Sequence, residues 1–423
     1  MYFNVHGEVG PCWLNLTEMG KYPENTISEI WFGEQFSKLR EAVKNEDLAY
    51  RCGTCMHNMK QGNHVSVLAK LYDYPYPLKE YPTVMEFELS NKCNLECVMC
   101  KGELSSTIRK NREKLPPMSN PYDSRFVEQL EEFIPHLEEA KFLGGEPFLI
   151  DLYYDIWERI AEIKPSIKIT ITTNATVFNN RVSALLEKLN CNIIVSIDSF
   201  EKDSYLEIRK RANFETVITN FDSYLNYTRA KNTYMQVSMN PLRLNWKEMA
   251  AAVEFVNERN VALWFNTVVY PHDQAMWMLG SKKLEQIYHT LSRISIGSKP
   301  ENCSRSTYDN NVRNYSNLVN NQIKNWWLNA KTEEEKRALE SENMSSKELG
   351  NKLKEAALNY IYQDAYIPEF MKRKEVQKLE TVLLEILKTE STEKIREFYC
   401  LSTGELVDEL RSAASLENGT MPE

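Results

Sequence analysis

The sequence predicts an α/β protein built on a partial parallel barrel, with a small cysteine-bearing module before it and a helical segment after it. Strand-like and helix-like patterns alternate six times between residues 84 and 267, which is typical of a parallel sheet with helices outside it. Three cysteines lie in the stretch before this region, and a Lys-, Glu- and Leu-rich stretch with helical periodicity follows it. Six units fall short of the eight that close a barrel, so we expect an open (β/α)6 barrel.

Changes of pattern along the chain set the expected domain boundaries. The predicted strands are 84–89, 140–144, 167–173, 191–197, 233–239 and 261–267. The expected domains are an α+β cysteine module at 1–60, a linker at 61–82, the barrel at 83–275 and a helical region at 276–423. The linker is rich in Tyr-Pro pairs, which favour extended backbone. The polar stretch from Asn302 to Asn325 is expected to be a loop.

Composition argues against several classes of partner. The net charge of −9 does not favour a nucleic-acid surface, because phosphate binding needs clustered Lys and Arg. No run of about 18 apolar residues is present, and no signal peptide is visible, so no membrane partner is expected. The nine cysteines fall largely into metal-ligand spacings, which indicates a reducing compartment. The sequence therefore predicts a cytoplasmic protein.

Three closely spaced cysteines, Cys93, Cys97 and Cys100, directly follow the first predicted barrel strand. Their thiolates can hold three irons of a cubic [4Fe–4S] cluster, and the fourth iron then keeps an open position for a ligand. Clusters that only carry electrons instead use four thiolates. A zinc knuckle or simple buried thiols are the alternatives, although zinc usually asks for paired C-x2-C units.

A Gly-Gly-Glu-Pro motif, formed by Gly144, Gly145, Glu146 and Pro147, ends the second predicted strand. Glycine lets the backbone approach a ligand closely, and the glutamate can accept a hydrogen bond from an ammonium group. A plain strand–helix turn is the alternative for the motif taken alone. Its position one strand–helix unit after the cysteines favours a shared site.

Polar side chains also end the later strands. Parallel strand–helix folds place their sites at the carboxyl ends of the strands, so these residues are candidates for ligand binding. An arginine offers a two-pronged fork to a carboxylate, although a surface ion pair is the alternative. The candidates are Thr173 and Asn174 after the third strand, Ser196, Asp198 and Arg209 after the fourth, and Asn266 after the sixth.

The cysteine triplet and the Gly-Gly-Glu-Pro motif together resemble the signature of the radical S-adenosylmethionine (SAM) superfamily. The resemblance implies a [4Fe–4S] cluster whose open iron chelates SAM, and cleavage of SAM to a 5′-deoxyadenosyl radical that abstracts a substrate hydrogen. Glu146 would then bind the amino group of SAM, and Ser196 and Arg209 its carboxylate. The stretch ending at Asn174 would hold the ribose and methionine, and Asn266 would contact the adenine.

The N-terminal module carries Cys12 and the pair Cys52 and Cys55. A hairpin, then a helix capped by the stretch from Ser28 to Ile30, would bring these distant cysteines together. These residues resemble the SPASM/twitch auxiliary-cluster domain of radical SAM enzymes, placed here before the barrel rather than after it. The resemblance implies a second iron–sulfur cluster.

The fourth ligand of this second cluster stays open at the level of sequence. Cys303 is one candidate, His57 is another, and an open iron that contacts substrate is the third. A zinc site or unliganded thiols are the alternatives to an iron–sulfur cluster.

The resemblance implies an enzyme that uses SAM, a [4Fe–4S] cluster and an electron donor such as flavodoxin or ferredoxin. An open barrel with an auxiliary cluster resembles enzymes that modify peptides, so peptide or protein modification is the expected activity. The alternative is oxidation or rearrangement of a small molecule such as a sugar, an aminoglycoside or a nucleotide. A non-catalytic iron–sulfur scaffold is a further alternative. No acid or base residue is identified.

Overall fold

The computed structural model describes residues 1–15, 18–45, 47, 52–60, 67 and 79–417, so most of the predicted linker lies outside the described residues. The chain divides into two compact units. Unit 1 comprises Met1–Leu95, Gly102–Ser196 and Ala212–Met235, and unit 2 comprises Glu96–Lys101, Ile197–Arg211 and Gln236–Glu423. These units cut across the domain boundaries expected from the sequence.

The strands confirm the mixed α/β class, and each of the six predicted barrel strands has a counterpart. In chain order the strands of the described residues are β1 (Tyr2–Phe3), β2 (Glu8–Gly10), β3 (Gly20–Lys21), β4 (Val84–Phe87), β5 (Glu96–Cys97), β6 (Glu139–Phe142), β7 (Lys168–Thr173), β8 (Cys191–Ser196), β9 (Arg209–Lys210), β10 (Met235–Met239) and β11 (Ala262–Phe265).

Helices follow most of these strands and form nearly all of the chain after β11. Those of the described residues are α1 (Ile27–Phe32), α2 (Glu34–Lys44), α3 (Gly53–Lys60), α4 (Ser106–Asn111), α5 (Ser124–Leu130), α6 (Asp151–Ile163), α7 (Asn180–Lys188), α8 (Lys202–Ile208), α9 (Phe214–Lys231), α10 (Met249–Glu258), α11 (Ser281–Leu291), α12 (Arg305–Asn317), α13 (Lys324–Ser341), α14 (Ser346–Gln363), α15 (Glu369–Thr389), α16 (Thr392–Cys400) and α17 (Thr403–Glu417). Among the described residues, none of the helices combines the length and apolarity needed to span a membrane.

Unit 1 is built on a sheet with the strand order β8-β7-β6-β4-β1-β2-β3. From β8 to β1 neighbouring strands are parallel, and β2 and β3 add an antiparallel edge. Burial alternates along β4, β6, β7 and β8, because successive side chains point to opposite faces of the sheet and one face is more deeply buried. On the more deeply buried face, Phe142 lies edge-on to Trp157 of α6 at 5.3 Å between ring centroids.

The N-terminal cysteine module is part of this sheet. Tyr2 pairs with Glu86 and Phe3 with Phe87, so β1 extends the parallel sheet beyond β4. The rings of Phe3 and Phe87 stack at 5.5 Å, and Phe126 of α5 meets Phe3 edge-on at 5.2 Å. A shared aromatic core therefore joins the module to the first barrel strands.

The first helix of the module begins earlier than the sequence suggested. The expected cap at Ser28 is wrong, because Thr26 accepts a hydrogen bond from the Glu29 N–H while the Glu29 side chain accepts from the Thr26 N–H. This reciprocal arrangement is a capping box, which needs Ser or Thr three residues before Glu. The helix ends at Gly33, where α2 begins.

In unit 2, β10 and β11 form a parallel pair, and β5 and β9 form an antiparallel pair. Helices α14 to α17 enclose an apolar core that includes Leu353, Leu379, Leu383 and Leu410. Leu379, Val382 and Leu383 of α15 are buried in this core.

The predicted loop from Asn302 to Asn325 is wrong. Helix α12 occupies most of it, followed by a π-helical stretch from Leu318 to Ile323. The polar residues of α12 have partners on the edge strand β11: Asn311 accepts from the Leu263 N–H at 2.8 Å, and the Asn314 amide donates to the Leu263 carbonyl at 2.7 Å. Buried asparagines here replace a neighbouring strand, which hydrophobic periodicity alone does not reveal.

Candidate active site

The first cysteine of the triplet is fixed by the start of α4. The Cys93 N–H donates to the Ser106 hydroxyl at 3.2 Å, and the Cys93 carbonyl accepts from the Thr107 hydroxyl at 2.6 Å. The Ser105 side chain caps this helix by accepting from the Ile108 N–H. A polar run of hydroxyl residues therefore shapes the backbone on which the Cys93 thiol is carried.

Cys97 and Cys100 lie in unit 2 and are held by a short ladder. The Cys100 N–H donates to the Cys97 carbonyl at 3.1 Å. Cys97 is the direct antiparallel partner of Arg209, and the Val98 N–H donates to the Ile208 carbonyl at 2.9 Å. The strand β9 that fixes Cys97 thus also carries the candidate arginine.

The glutamate of the Gly-Gly-Glu-Pro motif is fully buried. Its carboxylate accepts from the Thr173 hydroxyl and from the Asn174 N–H, each at 2.7 Å, and from the Phe148 N–H at 3.3 Å. Thr173 and Asn174 end β7, the strand next to β6 in the sheet. Two motifs far apart in sequence therefore meet in one hydrogen-bonded network.

The two glycines of the motif are required by backbone geometry. Both have positive φ, +83° at Gly144 and +50° at Gly145. A Cβ at Gly145 would lie 2.4 Å from the Lys92 carbonyl oxygen, one residue before the first cysteine. The Glu146 N–H donates to that same carbonyl at 2.8 Å. Close packing of the motif on the cysteine loop is possible only without side chains.

Asn174 links the glutamate to the first cysteine. Its backbone N–H donates to Glu146, and its side-chain amide lies 3.8 Å from the Cys93 sulfur, within hydrogen-bond range for sulfur. The same amide donates to the Asn94 side chain at 3.3 Å. Within unit 1, the cysteine loop and the ends of β6 and β7 thus form one continuous polar network, as expected for a common site.

Asp198 and Arg209 form a buried ion pair, and their predicted contacts with SAM stay predictions. Both the Nε and one terminal nitrogen of Arg209 lie 2.7 Å from the same Asp198 oxygen. The other Asp198 oxygen accepts from the N–H and side-chain amide of Asn240, both at 2.8 Å. Burial lowers the pKa of the Arg209 guanidinium, but the charge of Asp198 outweighs it, so the net pKa is raised and the arginine is charged at all accessible pH.

The remaining candidates have ordinary places in the sheet. Ser196 is the half-buried last residue of β8. Asn266 follows β11, where its N–H donates to the Met239 carbonyl at 2.8 Å and its side chain donates to the Ser238 hydroxyl at 2.5 Å. Pro147 begins a short 3-10 turn after Glu146. Their predicted contacts with SAM stay predictions.

The three N-terminal cysteines act on one another electrostatically. Burial raises the pKa of the Cys12 thiol, with a further contribution from Cys55. Burial also raises the pKa of Cys52, and both Cys12 and Cys55 add to the rise. Each of these shifts includes a contribution from another cysteine of the module, and bound iron would favour the thiolate forms. The donor set therefore fits an iron–sulfur cluster.

Cys303 lies in unit 2, in the turn before α12. It is buried, its carbonyl accepts from the Lys299 ammonium at 2.9 Å, and burial raises the pKa of its thiol. Its assignment as fourth ligand stays a prediction, and the side chain of His57 lies outside the described residues. In the described ranges no three His, Cys, Asp or Glu side chains converge on a single-ion site. Cluster cysteines need not converge in that way, because each binds a different iron.

The sequence reasoning missed a row of polar side chains on one face of the sheet. Strand register places its members side by side across five strands, so their side chains share this face. Burial raises the pKa of Glu86 in this row, while the Lys141 charge opposes it. The alternation of polar and apolar residues in each strand was a usable signal. The row consists of Tyr2, Glu86, Lys141, Thr170 and Asn192.

Two family matches account for this arrangement. Residues 87–256 match the family described as the radical SAM superfamily, and residues 1–56 match the family described as an iron–sulfur cluster-binding domain, SPASM. Residues 87–256 therefore carry a radical SAM domain, and residues 1–56 carry a SPASM-type module that precedes it. A [4Fe–4S] cluster with SAM and an additional iron–sulfur cluster follow from these matches, which confirms the predicted cofactors.

Curated relatives match with modest identity. The GTP 3′,8-cyclase of Limosilactobacillus fermentum is 29% identical over 155 residues, which cover 36% of this chain and 43% of the relative. The GTP 3′,8-cyclase of Chlorobaculum tepidum is 25% identical over 198 residues, covering 45% and 55%. Molybdenum cofactor biosynthesis protein 1 of Dictyostelium discoideum is 24% identical over 271 residues, covering 60% and 40%. The chain spans about half the length of these relatives.

Solved structures show a lower sequence identity to this chain. SuiB of Streptococcus suis bound to SAM is 15% identical with a TM-score of 0.37, covering 61% of this chain and 58% of SuiB. The native anSMEcpe with bound SAM is 15% identical with a TM-score of 0.38, covering 49% of this chain and 59% of that protein.

Proposed function

We propose that this radical SAM enzyme cleaves SAM at a cluster held by Cys93, Cys97 and Cys100 and uses the resulting radical on a small molecule. The observation that carries the site is Asn174, which contacts both the Cys93 sulfur and the Glu146 carboxylate. A cluster ligand and an anionic group for the SAM ammonium are thereby held in one rigid network. A scaffold that only stores a cluster has no need of that second group.

The cluster, when bound and reduced, supplies the electron that splits SAM. The residues of the chain position the reactants and exclude water. Glu146 is the proposed acceptor for the SAM ammonium, and the Thr173 and Asn174 donors fix the orientation of its carboxylate. Such preorganised groups lower the barrier because they need no rearrangement during the reaction.

For the substrate, the curated relatives favour the small-molecule alternative over peptide modification. The relatives named GTP 3′,8-cyclase act, by their names, on a nucleotide. A nucleotide or nucleotide-like molecule is therefore the first substrate class that we propose.

The first test asks whether the chain is an enzyme. Anaerobically reconstituted protein with dithionite and SAM is expected to release 5′-deoxyadenosine, and the Cys93→Ala/Cys97→Ala/Cys100→Ala variant is expected to lose this activity together with about four irons per chain. Cys400→Ala, which changes a half-buried thiol of α16, is the matched control and should retain both. Unchanged 5′-deoxyadenosine release by the triple variant would refute the assignment.

The second test asks for the substrate class. Release of 5′-deoxyadenosine is compared with GTP, other purine and pyrimidine nucleotides, an aminoglycoside and a short peptide, in deuterated and ordinary forms. The proposal is supported if a nucleotide increases the release of 5′-deoxyadenosine and its deuterium is transferred into that product. Transfer only from the peptide would overturn the small-molecule proposal and restore the expectation from the sequence.

A further inference from the structure

The side chain of Arg209 lies next to a cluster cysteine. Cys97 and Arg209 are direct partners in the antiparallel ladder of β5 and β9. In such pairs both side chains leave the same face of the ladder, with Cβ atoms about 5 Å apart. The guanidinium is only 6% exposed, so water screens its charge weakly.

Asp198 and its neighbours fix the position of this charge. The fully buried Asp198 holds two nitrogens of Arg209, and Asn240 holds the other Asp198 oxygen. The Asn245 amide donates to the Asp198 carbonyl at 2.6 Å and to the Asn240 carbonyl at 2.9 Å. Asn240 and Asn245 of the loop after β10 therefore hold the Asp198 side of the ion pair in place.

We propose that Arg209, positioned by Asp198, is a fixed positive charge that raises the reduction potential of the SAM-cleaving cluster through Cys97. One-electron reduction adds a negative charge to the cluster, and a nearby buried cation stabilises that added charge. The inference rests on the proposed cluster site. It assigns Arg209 a role that is present without SAM, unlike a contact with the SAM carboxylate.

The exposed pair on the same ladder provides a matched control. Arg211 lies two residues from Arg209 and pairs with Glu96, the neighbour of Cys97, at 3.2 Å. The Arg211 side chain is 56% exposed. Both substitutions, Arg209→Met and Arg211→Met, remove one positive charge beside Cys97, but solvent screens only the second.

The experiment is an EPR-monitored redox titration of the reconstituted protein without SAM. Arg209→Met is expected to lower the equilibrium constant for cluster reduction about tenfold, which is ~59 mV for a one-electron couple. Asp198→Asn removes a negative charge and is expected to shift the potential upward. Arg211→Met is expected to change the constant by less than about twofold. Iron content and the EPR signal show independently that the cluster is present.

Each result decides the inference. The inference is overturned if Arg209→Met protein with its cluster bound has the wild-type reduction potential or the same shift as Arg211→Met. It is also overturned if weaker SAM binding is the sole effect of the substitution. If Arg209→Met does not fold, Asp198→Asn is compared with the Asp198→Asn/Arg209→Met variant, which lacks both charges, and the same tenfold drop is expected. If the Cys93→Ala/Cys97→Ala/Cys100→Ala variant keeps its iron, the proposed cluster site itself is refuted.

Discussion

Glu146 and Asp198 are both fully buried carboxylates that follow barrel strands, yet different kinds of hydrogen-bond donor hold them. Glu146 accepts from a hydroxyl and two backbone N–H groups, which are neutral donors. Asp198 accepts from the Arg209 guanidinium as well as from Asn240. A guanidinium holds a buried carboxylate in an ion pair, whereas hydroxyl and N–H donors orient a carboxylate without adding a charge. The first carboxylate is suited to bind, the second to position.

The largest expected effect is a difference in the free energy of unfolding between variants of Asp198 and Glu146. Asp198→Asn leaves the Arg209 charge buried without its carboxylate, so the free energy of unfolding should fall by about 3–5 kcal/mol. Glu146→Gln keeps the shape of the side chain and one of its two acceptor oxygens, so the fall should be only about 1–2 kcal/mol. Urea unfolding of the two variants measures the difference. Equal losses would show that the two carboxylates play the same role.

The second expected effect separates them by ligand affinity. Glu146→Gln should weaken SAM binding about 10- to 100-fold, because a hydrogen bond to an ammonium is lost. Asp198→Asn should weaken it less than about threefold when measured well below its unfolding midpoint. Equilibrium dialysis of the reconstituted proteins gives both values. Glu138→Gln, a half-exposed carboxylate paired with Lys79, is the control and should bind normally. Normal binding by Glu146→Gln would contradict the proposed role.

How much of this comparison the sequence predicts depends on the range of the interactions. The strands were predictable because Ile169, Ile171 and Thr173 alternate with polar residues, and alternation is a local consequence of strand geometry. The cysteine triplet and the Gly-Gly-Glu-Pro motif were predictable because their chemistry depends on spacing. The alternation and the motif spacings can both be recognised without knowing which strands are neighbours in the sheet.

The ion pair was not predictable in the same way. In the sequence, Asp198 and Arg209 are separate candidates for binding SAM, and the folded chain pairs them with each other and pairs Asp198 with Asn240, 42 residues later. Only the folded chain shows that the fork of the arginine is already engaged. The helix at Asn311 and Asn314 was missed for a similar reason, since its polar residues find backbone partners on β11. Long-range polar pairing leaves no periodic signal.

A smaller expected effect probes the Glu146 side of the comparison. Thr173→Val removes the hydroxyl that donates to Glu146, so the free energy of unfolding should fall by about 1.5 kcal/mol and SAM affinity several-fold. Thr172→Val changes the neighbouring, half-buried residue of the same strand and is the control. Stability is measured by urea unfolding and affinity by dialysis. Loss of stability without loss of affinity would mean that the orientation of Glu146 does not matter for SAM.

The smallest expected effect probes the Asp198 side. Asn240→Ala removes the side-chain donor to Asp198 but keeps the backbone N–H, which donates to the same oxygen at 2.8 Å. Because the remaining bond and the Arg209 pair still satisfy the carboxylate, the free energy of unfolding should fall by only about 1 kcal/mol. SAM affinity should stay unchanged, in contrast to Thr173→Val. If Asn240→Ala weakens SAM binding as much as Thr173→Val does, the two carboxylates act on the ligand alike, and the distinction between binding and positioning fails.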